Sequence, residues 1–169
     1  MRKRTKKKGI FVACEGKSEQ AYVARLNELA EEQNLAVFLK ALVLNGGGLS
    51  KMIQTAIKEA KMNSYKKMKK AILMDKDLCS KNPIECQKAE EKAQKNGFLI
   101  IWQEPDYEGF LRRHFGNEQG NLTEWLGRKP LRKYDLRRIG RKEVERAAAA
   151  KEIKQLQTLL QWMGWPCTK

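Results

Sequence analysis

The segment that decides the fold reads Gly9-Ile10-Phe11-Val12-Ala13-Cys14-Glu15-Gly16-Lys17-Ser18-Glu19. Its first six residues have the length and apolar composition of a buried strand. The apolar run stops at Glu15, and Ser18 is the expected N-cap of a following helix. The apolar positions of that helix fall at helical spacing: Tyr22, Val23, Leu26, Leu29 and Ala30. The segment therefore predicts a strand, a polar turn and an amphipathic helix.

The same alternation of strand and helix continues along the chain. A second strand is predicted over 36–44 and a second helix from Leu49 or Ser50. A third strand over 71–74 precedes a helix whose expected N-cap is Asn82, with Pro83 and Glu85 in the favoured positions behind it. Residues 98–102 form a fourth strand. This order predicts an α/β fold, a mostly parallel Rossmann-like sheet flanked by helices.

The remaining segments complete a three-part organisation. Residues 1–8 are expected to be a flexible basic arm, and residues 9–115 the α/β core, which includes a helix with Tyr107, Phe110, Leu111, His114 and Phe115 on it. Residues 116–169 are expected to form a basic loop and a helical extension packed on the core. Within that extension, residues 141–162 are predicted to be one helix.

The net charge of +15 points to a polyanionic partner. An excess of that size raises the local potential toward phosphate backbones, and binding should weaken steeply with salt. A merely lysine-rich soluble surface is the alternative. A membrane partner is disfavoured, because the chain contains neither a basic amphipathic anchor nor an apolar run of spanning length.

The amino terminus and the cysteines indicate the compartment. Met1-Arg2-Lys3-Arg4 leads into no hydrophobic signal core, so we expect a cytoplasmic protein. The four cysteines have no Cys-x-x-Cys spacing and the chain has one histidine. These counts disfavour a zinc site, and reduced thiols are expected.

Carboxylates follow two of the predicted strands. Glu15 ends the first strand, and Asp75-Lys76-Asp77 ends the third. Ligands of open parallel sheets bind outside the carboxyl ends of the strands. In an extended stretch, Asp75 and Asp77 would point to the same side and could hold one Mg²⁺ or Mn²⁺, which would assist phosphodiester hydrolysis. The alternative is that Asp75-x-Asp77 only forms a turn or a cap.

Other residues are candidates for nucleic-acid contact. Gly46, Gly47 and Gly48 could present backbone N–H groups to a phosphate or form a plain turn, and they lack P-loop spacing. The backbone-contact candidates are Lys17, Arg112, Arg113, Arg132, Lys133, Arg137, Arg138, Arg141 and Lys142. Tyr65, Trp125 and Tyr134 could stack on bases. The aromatics expected in the core are Phe11, Phe38, Phe98, Trp102, Trp162 and Trp165.

Three ordered motifs resemble the RloB family of bacterial proteins, which has the Toprim fold. They are Cys14-Glu15-Gly16-Lys17-Ser18-Glu19, Asp75-Lys76-Asp77, and the element 104–115. The third motif reads Glu104-Pro105-Asp106-Tyr107-Glu108-Gly109-Phe110-Leu111-Arg112-Arg113-His114-Phe115. The chain departs from the family pattern with Ser18 for Thr, Glu104 for Asn, Tyr107 for Phe and Phe110 for Trp. The resemblance ends near residue 115.

The resemblance implies a Toprim-type nuclease of antiviral defence, sometimes beside an ATPase partner. Carried over by position, Glu15 is a general base or metal ligand, and Asp75 and Asp77 are metal ligands. Glu108 and His114 would be further site residues. They lie six residues apart, roughly 240° around a helix, so one of them could instead anchor it. The third carboxylate is open among Glu15, Glu19 and Glu108.

Two other functions remain open beside a nuclease. One is a non-catalytic nucleic-acid-binding subunit that works with a partner such as an ATPase. The other, a phosphorylated receiver domain, needs an acidic pair after the first strand, where only Glu15 stands. The residues do not distinguish DNA from RNA, and a homodimer is also compatible with them.

Overall fold

Four parallel strands form the centre of the computed structural model, which describes residues 6–63, 65–115 and 132–166. The strands are β1 Lys8–Cys14, β2 Val37–Val43, β3 Lys69–Asp75 and β4 Phe98–Gln103. Their order across the sheet is β2-β1-β3-β4, and every neighbouring pair is parallel. The predicted α/β class with a parallel sheet is confirmed.

Helices cover both faces of the sheet. They are α1 Lys17–Glu32, α2 Leu49–Met62, α3 Asp77–Lys81, α4 Pro83–Lys95, α5 Tyr107–Phe115, α6 Arg141–Ala148 and α7 Lys154–Met163. One core contains α1, α5, α6 and α7, and the other contains α2, α3 and α4. Ile10 and Val12 point into the first core, and Phe11 and Ala13 into the second. Burial on both faces explains the uninterrupted apolar run of β1.

Of two helix starts predicted from the sequence, one is confirmed and the other is wrong. Asn82 is the N-cap of α4, as predicted, and its side chain accepts the Glu85 N–H at 3.1 Å. The prediction that Ser18 caps α1 is wrong, because the helix starts at Lys17 with Gly16 as its N-cap. The Gly16 N–H donates to the Glu19 carboxylate at 3.1 Å. The Glu19 side chain therefore makes a capping hydrogen bond at a helix start that lies before the predicted cap, Ser18.

The carboxyl-terminal extension is not one helix. Ala150 has an extended backbone between α6 and α7. In a continuous helix, the buried group Val144, Ala147 and Ala148 would point about 120° away from the mean direction of the second buried group, which is Leu156, Leu159, Leu160 and Met163. The break lets both groups enter the same core, which also contains Leu26 and Ile101. Burial of both apolar faces therefore decides against the single predicted helix.

Two further expectations are corrected by the structure. Cys79 and Cys86 are joined by a disulfide, because α3 and α4 bring them together, while Cys14 is a free, buried thiol. Phe38 is 47% exposed and not part of the core. Its strand, β2, lies at the edge of the sheet, an arrangement that strand order along the chain does not reveal.

Several expectations lie partly or wholly outside the described residues. They concern residues 1–5 of the arm, the loop 116–120, Trp125, Cys167 and the side chains of Lys133 and Tyr134. Within the described part, Lys8 already belongs to β1, and Tyr65 stacks on Phe11 with ring centroids 5.1 Å apart. No helix in the described ranges is long and apolar enough to cross a membrane.

Candidate metal centre

Three carboxylates meet where strands β1 and β3 end. The chain leaves these neighbouring strands toward opposite edges of the sheet, so a crevice opens between their carboxyl ends. Glu15 follows β1, Asp75 is the last residue of β3, and Glu19 lies in the first turn of α1. One oxygen atom from each carboxylate lies within 4.8 Å of the others. The topology therefore brings together residues that are up to sixty positions apart in the chain.

Backbone hydrogen bonds hold two of these carboxylates in place. The Asp75 N–H donates to Glu15 Oε2 at 3.1 Å and so ties the end of β1 to the end of β3. Glu19 Oε2 accepts the Gly16 N–H, which leaves its other oxygen, Oε1, for further partners. Each carboxylate is thus oriented by the elements that carry it.

Gln103 is the amide that bridges two of the carboxylates. It is the last residue of β4 and is fully buried. With its nitrogen facing the site, it donates to Asp75 Oδ1 at 2.8 Å and to Glu19 Oε1 at 3.3 Å. These bonds hold the two carboxylates near each other and offset part of their repulsion.

The crowding of negative charge shows in the pKa values. Burial, together with the negative charges of Glu15, Glu19, Asp77 and Asp106, raises the pKa of Asp75 to about 8. Burial also raises the pKa of Glu19, with a contribution from Glu15. The pKa of Glu15 is raised by burial and by Asp77. The carboxylates resist full ionisation without a compensating positive charge.

The donor set fits a hard divalent cation. All three donors are carboxylate oxygens, the ligands that Mg²⁺ and Mn²⁺ prefer, and two or three protein carboxylates suffice for such sites. A dication would supply the positive charge that the raised pKa values show to be missing. Glu15, Glu19 and Asp75 are therefore the residues suited to hold a metal.

The structure places Asp77 outside this set of three. We expected an extended backbone that aims Asp75 and Asp77 to the same side, and this premise is wrong. Lys76 has helical backbone angles, φ −70° and ψ −25°, because α3 begins directly after it. Asp77 is exposed but stays near enough to raise the pKa values of Glu15 and Asp75.

Glu108 and His114 are engaged elsewhere on α5. Glu108 pairs with Arg112 at 3.2 Å. His114 is fully buried; its Nδ1–H donates to the Phe110 carbonyl at 3.0 Å, so its Nε2 accepts the Tyr22 hydroxyl at 2.8 Å. Burial lowers the pKa of His114 to about 4. Both ring nitrogens of this neutral imidazole are satisfied within the core, as expected for an anchor of the helix.

The glycine loop lies beside Glu15. Gly46, Gly47 and Gly48 all have positive φ, and the Gly46 N–H donates to the Glu15 carbonyl at 3.2 Å. The loop leads into the amino terminus of α2, whose N-cap is Gly48. Backbone N–H groups at such a helix start favour anions. The loop thus flanks the carboxylates on the side of β2.

The predicted basic contacts divide into two groups. Arg112 and Arg113 form ion pairs with Glu108 and Glu152. The exposed positions are Lys17, Arg132, Arg137, Arg138, Arg141 and Lys142, and of these Arg141 pairs with Glu145 at 2.7 Å. The side chain of Lys133 lies outside the described residues.

Sequence reasoning missed two residues that shape the site. Gln103 ends β4 as Asp75 ends β3, so the rule that favours polar residues at strand ends could have found it. Gly109 lies where α5 touches the preceding connection. A Cβ there would collide with the Pro105 ring and the Glu104 carbonyl. Only glycine permits this approach, which brings the β4–α5 connection to the site.

The comparison with protein-family models agrees with the motifs. The family model described as "RloB-like protein" matches residues 10–168. Among solved structures, the C-terminal region of the OLD protein of Xanthomonas campestris pv. campestris aligns over 93% of this chain and 94% of its own, with 14% identity and a TM-score of 0.34. A TM-score this low does not by itself establish a shared fold. A search of the curated proteins found no match.

Proposed function

The chain belongs to the RloB-like family, and from that premise we propose that it is a divalent-metal-dependent, Toprim-type nuclease of DNA or RNA. The observation that carries the proposal is the cluster of Glu15, Glu19 and Asp75 at the crevice between β1 and β3. A net charge of +15 around an acidic centre suits a polyanionic substrate. A role in antiviral defence, with an ATPase partner or as a homodimer, is part of the same proposal.

The protein's own residues would divide the work. Glu15, Glu19 and Asp75 hold Mg²⁺ or Mn²⁺, which when bound neutralises charge on a phosphodiester and activates water. Gln103 keeps Glu19 and Asp75 oriented. The N–H groups of the glycine loop, which is hydrogen-bonded to Glu15, and the Lys17 ammonium, at the exposed start of α1, bind substrate phosphates. Asp77, at the exposed start of α3, takes part at most as an outer carboxylate.

Cleavage of labelled substrates tests this proposal. Transfer RNA, single-stranded DNA and duplex DNA are incubated with the protein in Mg²⁺, Mn²⁺ or EDTA. Cleavage is expected only with metal. Each of three variants should lower the cleavage rate more than about 100-fold: Glu15→Gln, Glu19→Gln and Asp75→Asn. The reason is that loss of a metal ligand exceeds the usual effect of losing a residue outside the ligand set. Asp77→Asn is expected to cost less.

Glu31→Gln is the matched control. It removes the same charge from the far end of α1, where Glu31 pairs with Lys7 on the surface, and cleavage should be unchanged. Equal cleavage by the wild type and the Asp75→Asn protein would rule out the assignment, whatever the substrate.

Metal binding separates catalysis from a binding role. Mg²⁺ or Mn²⁺ should raise the melting temperature of the wild type by an amount that grows with the logarithm of its affinity and leave Asp75→Asn unaffected. A metal shift and salt-sensitive nucleic-acid binding without cleavage would favour the non-catalytic subunit that works with a partner.

A further inference from the structure

A groove runs along the open edge of the sheet, between β2 and α1. Its volume is about 530 Å³, and its walls are the first three turns of α1, the middle of β2 and Arg132 from the carboxyl-terminal segment. Lys17 contributes from the first turn of α1, two residues after Glu15. The Lys17 end of the groove is therefore the end toward Glu15, and from there the groove leads along the edge strand.

The charges in the groove are all of one sign. Lys17, Lys40 and Arg132 line it, and no carboxylate is among the described lining residues. All three cationic side chains are exposed. Cations spaced along a groove with no carboxylate among its described lining residues attract a chain of anions such as a phosphate backbone.

An aromatic side chain also lines the groove. Phe38 is 47% exposed and shares with Lys40 the face of β2 opposite to the buried Leu39, because side chains two apart share a face. An exposed aromatic ring costs solvation and gains little for folding. Beside lysines, such a ring is suited to stack on an unpaired base.

The backbone of the edge strand disfavours a β-strand as the occupant. Leu39 is one of the β2 residues whose N–H and C=O point away from β1. Its N–H donates to Asn27 Oδ1 at 2.8 Å, and its C=O accepts from Asn27 Nδ2 at 2.9 Å. The Asn27 amide thus occupies the groups at mid-strand that a peptide or a second copy of the sheet would need.

We propose that the groove binds an unpaired nucleic-acid strand, with phosphates on Lys17, Lys40 and Arg132 and a base on Phe38. The proposal rests on the proposed function in one respect, the choice of nucleic acid as the polyanion. It assigns the substrate class, because a duplex keeps its bases stacked internally and offers none to Phe38. The strand enters along β2 and reaches Glu15 past Lys17.

Fluorescence anisotropy in EDTA tests the groove without cleavage. The probes are 5′-labelled oligothymidylate, oligouridylate and a duplex of equal length. Lys40→Glu should weaken single-strand binding about tenfold and reduce the slope of log K against log salt by roughly 0.7, the value for one phosphate contact. Phe38→Ala should weaken it roughly tenfold, and Phe38→Trp should restore it.

The control is Lys88→Glu, the same charge change at an exposed position of α4, which packs on β4 at the other edge of the sheet. It should weaken binding less than twofold. Equal effects of Lys40→Glu and Lys88→Glu, tighter binding of the duplex, or a dimer that Lys40→Glu dissociates would each overturn the proposal. Binding in EDTA requires no metal, whereas cleavage does, so failure of the nuclease and failure of the groove are distinguishable.

Discussion

Helix α1 carries titratable side chains into two contrasting environments. Glu19, in its first turn, meets Glu15 and Asp75, and every added charge there opposes the others. Tyr22, one turn later, meets His114, and the two side chains satisfy each other. Both regions contain residues that the family motifs mark. The difference shows how to interpret a buried polar residue. Where its partners leave a charge uncompensated, the residue indicates a functional site; where its hydrogen bonds are all satisfied, it anchors the structure.

The largest effect should come from Asp75→Asn. Removing this charge should abolish cleavage, by more than about 100-fold, while leaving the metal-free protein at pH 9 at least as resistant to urea as the wild type. The reason is that burial and neighbouring carboxylates make the ionised form of Asp75 unfavourable. Paired cleavage and urea-unfolding measurements check both parts. A variant that is inactive because it is unfolded would contradict this contrast.

His114→Ala should show the opposite pattern. It removes a fully buried ring and leaves the Tyr22 hydroxyl without its partner, so the free energy of unfolding should fall by about 3 kcal/mol. Tyr22→Phe, which removes only the hydroxyl, should cost about 1 kcal/mol. Cleavage per folded molecule should remain at the wild-type level in both variants at 15 °C. A large loss of cleavage by a folded His114 variant would instead place this residue in the chemistry.

Gln103→Leu should have an intermediate effect on cleavage, roughly tenfold. The leucine retains the volume but donates nothing to Glu19 or Asp75, so the two carboxylates lose their common orientation. Metal affinity, measured by thermal shift, should weaken in parallel. Gln87→Leu, at an exposed position of α4, is the control and should change neither quantity.

The smallest effect should be a pair of opposed pH dependences in EDTA. Unfolded Asp75 ionises near its ordinary pKa of 3.8 and folded Asp75 near 8, so the folded state binds more protons and stability falls as the pH rises through this range. Unfolded His114 binds a proton below 6.5 and the folded residue below about 4, so stability falls as the pH drops through that range.

Urea titrations from pH 4 to pH 9 resolve the two contributions. Asp75→Asn should flatten the decline between pH 7.5 and 8, where His114 is almost wholly neutral in both states. His114→Gln should flatten the acid limb and leave the decline above pH 6.5 in place. If both variants kept the wild-type dependence of the unfolding free energy on pH, neither residue would govern it.

Much of the fold could be predicted because the signals are local. The apolar run of β1 is long enough for a strand buried on both faces. The Asn82-Pro83 pair marks the start of α4, because both residue types are favoured at that end of a helix. Glu15 and Asp75 follow their strands directly, so their placement at the same edge of the sheet follows from a parallel arrangement alone. The predicted start of α1 is wrong because the Gly16 N–H donates to the Glu19 carboxylate, so the helix begins before Ser18.

The sequence by itself determined the strands, the parallel sheet, the excess of positive charge and the two carboxylates that end the first and third strands. Only the tertiary structure decided that Glu19 and not Asp77 completes the cluster, that Gln103 joins it, and that His114 belongs to the core. It also decided that β2 is the edge strand, which exposes Phe38 beside Lys40. Spacing along the chain fixes which way a side chain points within one element. Which side chains meet depends on the strand order and on the turn taken at each strand end, and these follow from burying the apolar faces of all the elements together.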